Sequence, residues 1–496
     1  MSDYNIDKLM QTSGVTFGTS GARGLATAMT DKICYCYTKA FIQHLENLQN
    51  IEKNSQIAFA GDLRPSTPRI CTAVSQAIQD CGYTPIYCGS IPSPAIAYYG
   101  LTNKIPSIMV TGSHIPDDRN GIKYNSPNGE IMKSDEIGIK QQNVNCDANL
   151  FDESGMFIQT ISLPAIQTEA EDAYIKRYTD FFDKDTLSGL MIGLYQHSCV
   201  GRDTLNKIYT ALGAVVTNLG RSDTFIPVDT EAIRPADIQL AKEWASSGDY
   251  DSILSADGDC DRPLISDETG QWLRGDVAGI LCAQHLGADA VITPVSCNSA
   301  IELCQSFNKV IRTKIGSPYV IDAMNQASDE GYSMVVGYEA NGGFLTNTPM
   351  DYKGGELSAL PTRDAVILHI AILAESKNKA CQISDLVKAL PNRYTASNRL
   401  KEFPIEKSKL KIASFNSGNF EQDAKTFETE FGDLCGKVKS IDYTDGVRAT
   451  FDNGEIIHLR PSGNAPELRC YNEASDAIRV IELNNLCIER MENWRN

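Results

Sequence analysis

Residues 250–263 read YDSILSADGDCDRP. An apolar, strand-like run ends in a loop that places Asp257, Asp259 and Asp261 at alternate positions. The same order of elements occurs twice more. "QIAFAGD" (56–62) opens a strand. Ile70, Val74, Ala77, Ile78 and Cys81 follow at helical spacing, then the short strand "YTPIYCG" and the run "IPSIMVTGSH" with its polar end. "LMIGLYQHS" (190–198), a helix carrying Leu205, Ile208 and Leu212, and "AVVTNLG" lead into the aspartate run. "AVITPVSCN" (290–298), a helix with Ala300, Cys304 and Phe307, "KVIRTKIG" and "YSMVVGYEANGG" (332–343) make the third pass. Three strand–helix–strand units of one order predict three α/β domains of related topology. Hairpin signals at Gly129 and Gly270 follow two of the late strands, which favours repetition over one large sheet.

The last hundred residues differ. "GVRATFDNGEIIHLRPSGNAPELRCYNEA" alternates apolar and polar residues about an Asn453-Gly454 turn, predicting antiparallel strands, and a closing helix is expected over 475–494. The expected fold is therefore three related mixed α/β domains plus a smaller C-terminal α+β domain around a central cleft. The expected domains are 1–155, 156–266, 267–385 and 386–496.

Composition narrows the function. The 496 residues carry a formal charge of −18, which argues against a nucleic-acid partner. An anionic substrate then needs a locally positive cleft. The fifteen cysteines are scattered, with no CxxC pair and no zinc spacing, and read as buried free thiols. No apolar run approaches the ~20 residues of a membrane helix, and no signal-peptide pattern opens the sequence. The expectation is a cytoplasmic protein with no membrane partner, a monomer or small homo-oligomer.

Ligands of open α/β sheets bind at the carboxyl ends of strands, so the three late loops point to one shared site. Three adjacent carboxylates repel unless a cation shares them, and hard oxygen ligands suit Mg²⁺. The loop is no EF-hand: the sixth and twelfth positions from Asp257 hold Arg262 and Glu268. In "TGSHIP" (111–116) no G-x-S-x-G elbow surrounds Ser113, and adjacent side chains diverge, which disfavours a Ser113–His114 relay. A serine that carries a phosphoryl group fits better, with Lys123 of "NGIK" and Arg23 of "TFGTSGARG" as nearby cations. Arg262 is a counter-ion or a phosphate contact. In "EANGG", Glu339 and Asn341 supply hydrogen-bonding groups for vicinal hydroxyls. "RPSGNAPELR" (460–469) offers Arg460, Ser462, Asn464 and Arg469 as a phosphate cradle.

The order of these motifs, from "FGTSGARG" through "TGSHIP", "NGIK", "DGDCDRP" and "EANGG" to "RPSGNAPELR", resembles the α-D-phosphohexomutase family. Within it, the pattern is most like the bacterial phosphomannomutases. The resemblance implies an isomerase of carbohydrate metabolism and nucleotide-sugar biosynthesis that interconverts hexose 6-phosphate and hexose 1-phosphate. A phosphoserine and a hexose 1,6-bisphosphate would be intermediates. It makes Ser113 the phosphoserine and, with Asp257, Asp259 and Asp261, a Mg²⁺ ligand. Arg23, His114 and Lys123 would surround it, and Arg262, Glu339, Asn341, Arg460, Ser462, Asn464 and Arg469 would bind substrate. The sugar loop departs from the family's Glu-x-Ser-Gly-His, having Asn341 for serine and Gly343 for histidine. Cys260 replaces a usual glycine, and Ser317-Pro318 follows Gly316 where another polar residue is common. These departures leave mannose, glucose and glucosamine phosphates as alternatives. A Mg²⁺-dependent phosphatase and a non-catalytic sugar-phosphate sensor also stay open.

Overall fold

The computed structural model describes every residue except 1, 19–20, 353–354, 463–465 and 496, with backbone alone at 2, 148 and 352. Three sheets repeat one strand order. In the first, Gln56–Gly61 lies between its parallel neighbours Thr84–Tyr87 and Ser107–Val110, and Arg119–Ser126 runs antiparallel beyond the latter. In the second, Met191–His197 is flanked by Val215–Arg221 and Ser252–Ala256, with Pro263–Ile265 antiparallel. In the third, Ala290–Pro294 is flanked by Lys309–Thr313 and Val335–Tyr338, with Phe344–Thr346 antiparallel. The central strands are mostly apolar and almost wholly buried, as expected of strands covered on both faces.

The helices follow the expected stripes in two units. Thr67–Asp80 starts on a proline and buries Ile70, Val74, Ala77 and Ile78. Arg202–Ala211 buries Leu205 and Ile208. The third expected helix is shorter than its pattern. It is the single turn Ala300–Leu303, because Gln305 adopts a left-handed backbone (φ 52°) that ends it before Phe307.

One apolar core runs from Ala58 and Met109 under the first sheet, past Tyr174, to Ile192 and Leu254 of the second and Val291 and Val336 of the third. That shared core fixes the three sheets relative to one another. The C-terminal region is the five-stranded antiparallel sheet expected there, closed by helix Ala477–Glu492. Its core, built on Phe427, Phe451 and Leu483, is separate. All fifteen cysteines are free thiols. Among the described residues no helix is long and apolar enough to cross a membrane.

Candidate active site

In each repeated unit the loop between the third strand and its antiparallel partner points into one cleft of about 1150 Å³. Arg23, His114, Lys123, Arg262, Glu339, Asn341 and Arg469 all line it. Arg23 and Lys123 reach it from one sheet face: Gly21 pairs with Lys123 and Arg23 with Gly121, and positions two apart share a face.

Ser113 and the aspartates lie fully buried immediately behind these residues. The Ser113 hydroxyl donates to Asp257 Oδ2 at 2.5 Å. Its backbone is left-handed (φ 56°), a conformation that costs about 1–3 kcal/mol in a non-glycine residue and persists only where surroundings impose it. Arg64 imposes it. This buried guanidinium pairs with Asp62 at 2.9 Å and donates to the carbonyls of Ser113 (2.7 Å), Ile115 (2.6 Å), Pro116 (2.7 Å) and Arg119 (3.0 Å). It also stacks on Phe225 of the second unit, 4.1 Å from the ring centre. Gly258 completes the contact, because a Cβ there would sit 2.6 Å from the Ser113 carbonyl oxygen.

Asp257, Asp259 and Asp261 offer oxygens that all lie within 4.8 Å of one another. Asp259 Oδ2 accepts from Ser93 Oγ and Lys123 Nζ, both at 2.6 Å, and Lys123 also reaches Asp261 at 2.6 Å. Asp259 Oδ1 and Asp261 Oδ1 are buried without a hydrogen-bond donor. Burial, reinforced by Asp259 and Asp261, drives Asp257 well above the usual carboxylate range. Burial also works against Asp261 and against Lys123, but their mutual attraction prevails and holds the first charged and the second an ammonium. Orphaned acceptors and a crowded oxygen-only set fit a hard divalent cation. Cys260 takes a left-handed backbone (φ 62°) and turns its thiol against Gly201, away from the carboxylates.

His114 makes no relay with its neighbour. Burial and Arg262 depress it to about 3, and the neutral ring accepts from Arg262 Nη1 at Nδ1, 2.8 Å away. Burial, with Arg262 nearby, lowers Arg23 to about 10. Arg262 and Arg469 both line the cleft; each has a buried Nε without a hydrogen bond, that of Arg262 standing 3.7 Å from Asp261 Oδ1, while Arg469 Nη2 stands 3.6 Å from Glu467. Guanidinium groups lining a cleft suit anionic ligands.

The remaining expected residues fall differently. Arg460 pairs with Asp445, 2.7 Å away, and lies directly opposite Arg469 across two antiparallel strands. Ser462 is buried and its backbone donates to the Glu467 carbonyl. Asn464 lies outside the described residues. The Asn341 amide oxygen accepts from the Gly343 backbone, leaving its NH₂ as the free end. Ser317 donates to Glu130 Oε2 at 2.9 Å, so that loop ties the third unit to the first.

Several residues escaped the sequence reading. Arg64 follows the first central strand in "GDLRPST", at the strand end where ligands gather, and that position was the available signal. Ser93, Arg274, Arg363, Arg399 and Lys401 carry no motif, yet Arg274, Arg363, Arg399 and Lys401 all line the cleft.

The sequence matches family models described as phosphoglucomutase/phosphomannomutase, alpha/beta/alpha domain I over residues 14–146, domain III over 274–394 and C-terminal domain over 413–485. A phosphomannomutase of Salmonella muenchen is 45% identical over 483 residues, covering 97% of this chain and 96% of that protein. One of Sinorhizobium fredii is 42% identical over 467 residues, covering 93% and 96%. Among solved structures, a phosphoglucomutase/phosphomannomutase family protein from Burkholderia thailandensis superposes with a TM-score of 0.72 at 17% identity, covering 96% of this chain and 97% of that one. With the serine, the carboxylate cluster and the arginines arranged about one cleft, and with relatives this close along nearly its whole length, the chain belongs to the phosphoglucomutase/phosphomannomutase family, the α-D-phosphohexomutases.

Proposed function

We propose that this protein is a phosphohexomutase that interconverts mannose 6-phosphate and mannose 1-phosphate through phosphoserine 113. The observation that carries the reading is the Ser113 hydroxyl, 2.5 Å from Asp257 in a three-carboxylate cluster, behind a cleft that Arg469 lines. The names of the two relatives above 40% identity favour mannose. Domains over 1–155, 156–266, 267–385 and 386–496 would each supply one loop.

Magnesium, held by Asp257, Asp259, Asp261 and an oxygen on Ser113, would neutralise the phosphoryl oxygens during transfer. The chain's own groups do the rest. Ser113 carries the phosphoryl group and gives it to the free hydroxyl of the bound monophosphate. The Ser113 oxygen–phosphorus bond breaks as the sugar oxygen–phosphorus bond forms. The proton lost by the attacking hydroxyl balances the one the serine oxygen regains. The hexose 1,6-bisphosphate turns over within the cleft, and its other phosphate returns to Ser113. Arg262 and Lys123 bring positive charge to the transferring end. Arg469, with Ser462, Arg460 and Asn464, would grip the distal phosphate in both orientations, which a rigid cationic cradle permits. Glu339 and Asn341 would bind the sugar hydroxyls. The separate core of the C-terminal domain allows it to close over the cleft and exclude water, which protects the phosphoserine from hydrolysis.

The test is a panel of mannose, glucose and glucosamine monophosphates, each with a trace of its bisphosphate and with Mg²⁺. The expected product is the isomeric monophosphate, fastest for mannose. Release of free phosphate alone would instead make the protein a phosphatase, and no change would make it a sensor.

A further inference from the structure

The space beside Gly343, where a side chain would begin, is filled by a cation from another segment. A Cβ on Gly343 would lie 2.4 Å from Cδ and 2.5 Å from Cγ of Arg363, so any side chain at 343 would evict that arginine. Arg363 is 3% exposed. Its Nε donates to Asp261 Oδ2 at 3.1 Å and its Nη1 to Glu339 Oε2 at 3.2 Å. One planar group therefore spans the aspartate loop of the second domain and the sugar loop of the third.

The segment bearing it is anchored independently. The next residue, Asp364, is buried, accepts from Tyr174 Oη at 2.7 Å and from Tyr178 Oη, and caps helix Ala365–Lys379 through the Val366 amide at 2.9 Å. The Asp364 amide donates to the Phe344 carbonyl at 2.9 Å. On the other side, Thr362 Oγ1 donates to Glu130 of the first domain at 2.6 Å. The guanidinium is thus delivered from a segment anchored on both sides, and it is the link between two carboxylates of different loops. A bidentate fork fixes both partners where an ammonium would fix one.

We propose that Arg363 is a positioning residue of the mutase: it holds Glu339, the group that meets the sugar hydroxyls, at a set distance from Asp261 beside Ser113, and Gly343 is glycine to admit it. This rests on the mutase reading. It predicts that sugar orientation and phosphoryl transfer depend on one guanidinium, because a displacement of about 1 Å in a reacting group costs on the order of 100-fold in rate.

The experiment compares Arg363→Ala, Arg363→Lys, Gly343→Ala and the Gly343→Ala/Arg363→Ala double variant with the wild type. Steady-state kinetics are measured on mannose 6-phosphate, and calorimetry measures mannose 6-phosphate binding to EDTA-treated protein. In Arg363→Ala, kcat is expected to fall about 100-fold and KM to rise roughly tenfold. Metal-free binding should weaken by the same tenfold. Arg363→Lys should recover folding stability and part of the binding, but less than a tenth of kcat. Gly343→Ala should shift kcat and KM in the same directions, and the double variant should lose no more than Arg363→Ala alone. If Arg363→Ala fails to fold, Gly343→Ala decides. Either variant with kcat, KM and binding within twofold of wild type would overturn the proposal, as would multiplicative losses in the double variant. A wild type that makes no isomer would sink the mutase reading instead, and the calorimetric arm would still judge Arg363.

Discussion

The Ser113 hydroxyl and Asp257 Oδ2 stand 2.5 Å apart although 144 residues separate them. Each sits on the loop after the third strand of its own sheet, so the contact is made by two equivalent positions of a repeated unit facing each other. Gly258 lets the loops approach to backbone contact, and Arg64, stacked on Phe225, holds the serine loop against the second domain.

Replacing Ser113 by alanine removes the hydroxyl that carries phosphate in the proposed reaction. The Ser113→Ala protein should stay folded with a modestly lower melting temperature, because buried Asp257 loses a hydroxyl donor, show no isomerase activity, and carry no phosphoserine increment in its intact mass. Wild-type turnover in that variant would end the account.

Asp259 Oδ1 and Asp261 Oδ1 have no hydrogen-bond donor, and the cluster they belong to could hold a cation. Adding Mg²⁺ to EDTA-treated protein at about 100 times its dissociation constant should stabilise the fold by about 2.7 kcal/mol and raise the melting temperature by several degrees. Asp259→Asn should abolish that rise. An equal Mg²⁺ response in the variant would place the ion elsewhere.

Arg64 donates to four carbonyls of the serine loop while paired with buried Asp62. Arg64→Met leaves the Asp62 charge uncompensated, and should cost about 3–5 kcal/mol in urea unfolding. Arg64→Lys keeps the charge but reaches fewer carbonyls, so stability should partly return while kcat stays depressed. Full recovery of kcat with lysine would show that charge alone is needed.

Arg469 lines the cleft, and its guanidinium stands 3.6 Å from Glu467 without a hydrogen bond at Nε. A hydrogen bond to a charged group contributes about 1.5–3 kcal/mol. Arg469→Ala should therefore raise KM for mannose 1-phosphate and mannose 6-phosphate alike, by roughly 10–100-fold, and change kcat less. A KM equal to wild type would remove it from the phosphate cradle.

Three histidines outside the site are buried and held neutral by that burial: His369 is lowered to about 3, and His197 and His458 to about 4. The unfolded chain binds protons at these positions below about pH 6.5, and the folded chain does not. Stability is thus complete above pH 6.5 and declines as pH falls towards 4, by at most about 1.4 kcal/mol per pH unit for each histidine. With His114 depressed in the same way, the histidine contribution to the urea midpoint should drop between pH 7 and pH 5, and His369→Gln should flatten that drop by about a quarter. A midpoint flat across that range would contradict the burial of these rings.

The repeated unit was legible because period and order survive in one dimension: a central apolar strand, a striped helix, and a late strand ending in polar residues. Ser113, Asp257, Asp259, Asp261, Lys123 and Glu339 could be found for the same reason, since each lies in a short run whose residue types suit one chemistry. Arg363 and Ser93 left no such mark. A single arginine beside an aspartate has no spacing to read, and its partners Asp261 and Glu339 lie 102 and 24 residues away. The third helix stops short because of one backbone angle at Gln305, which residue type does not announce. Arg460, in the same run as Arg469, pairs with Asp445.

By itself, then, the sequence determined which elements form and which loops carry acid, hydroxyl or cation, because local pattern and residue chemistry are properties of the chain. Only tertiary structure decided how those loops meet, which carboxylate oxygens remain without donors, and which arginine holds which carbonyl or carboxylate. Those outcomes depend on the shared core that clamps three sheets together, and on close approaches such as Gly258 to Ser113 and Gly343 to Arg363.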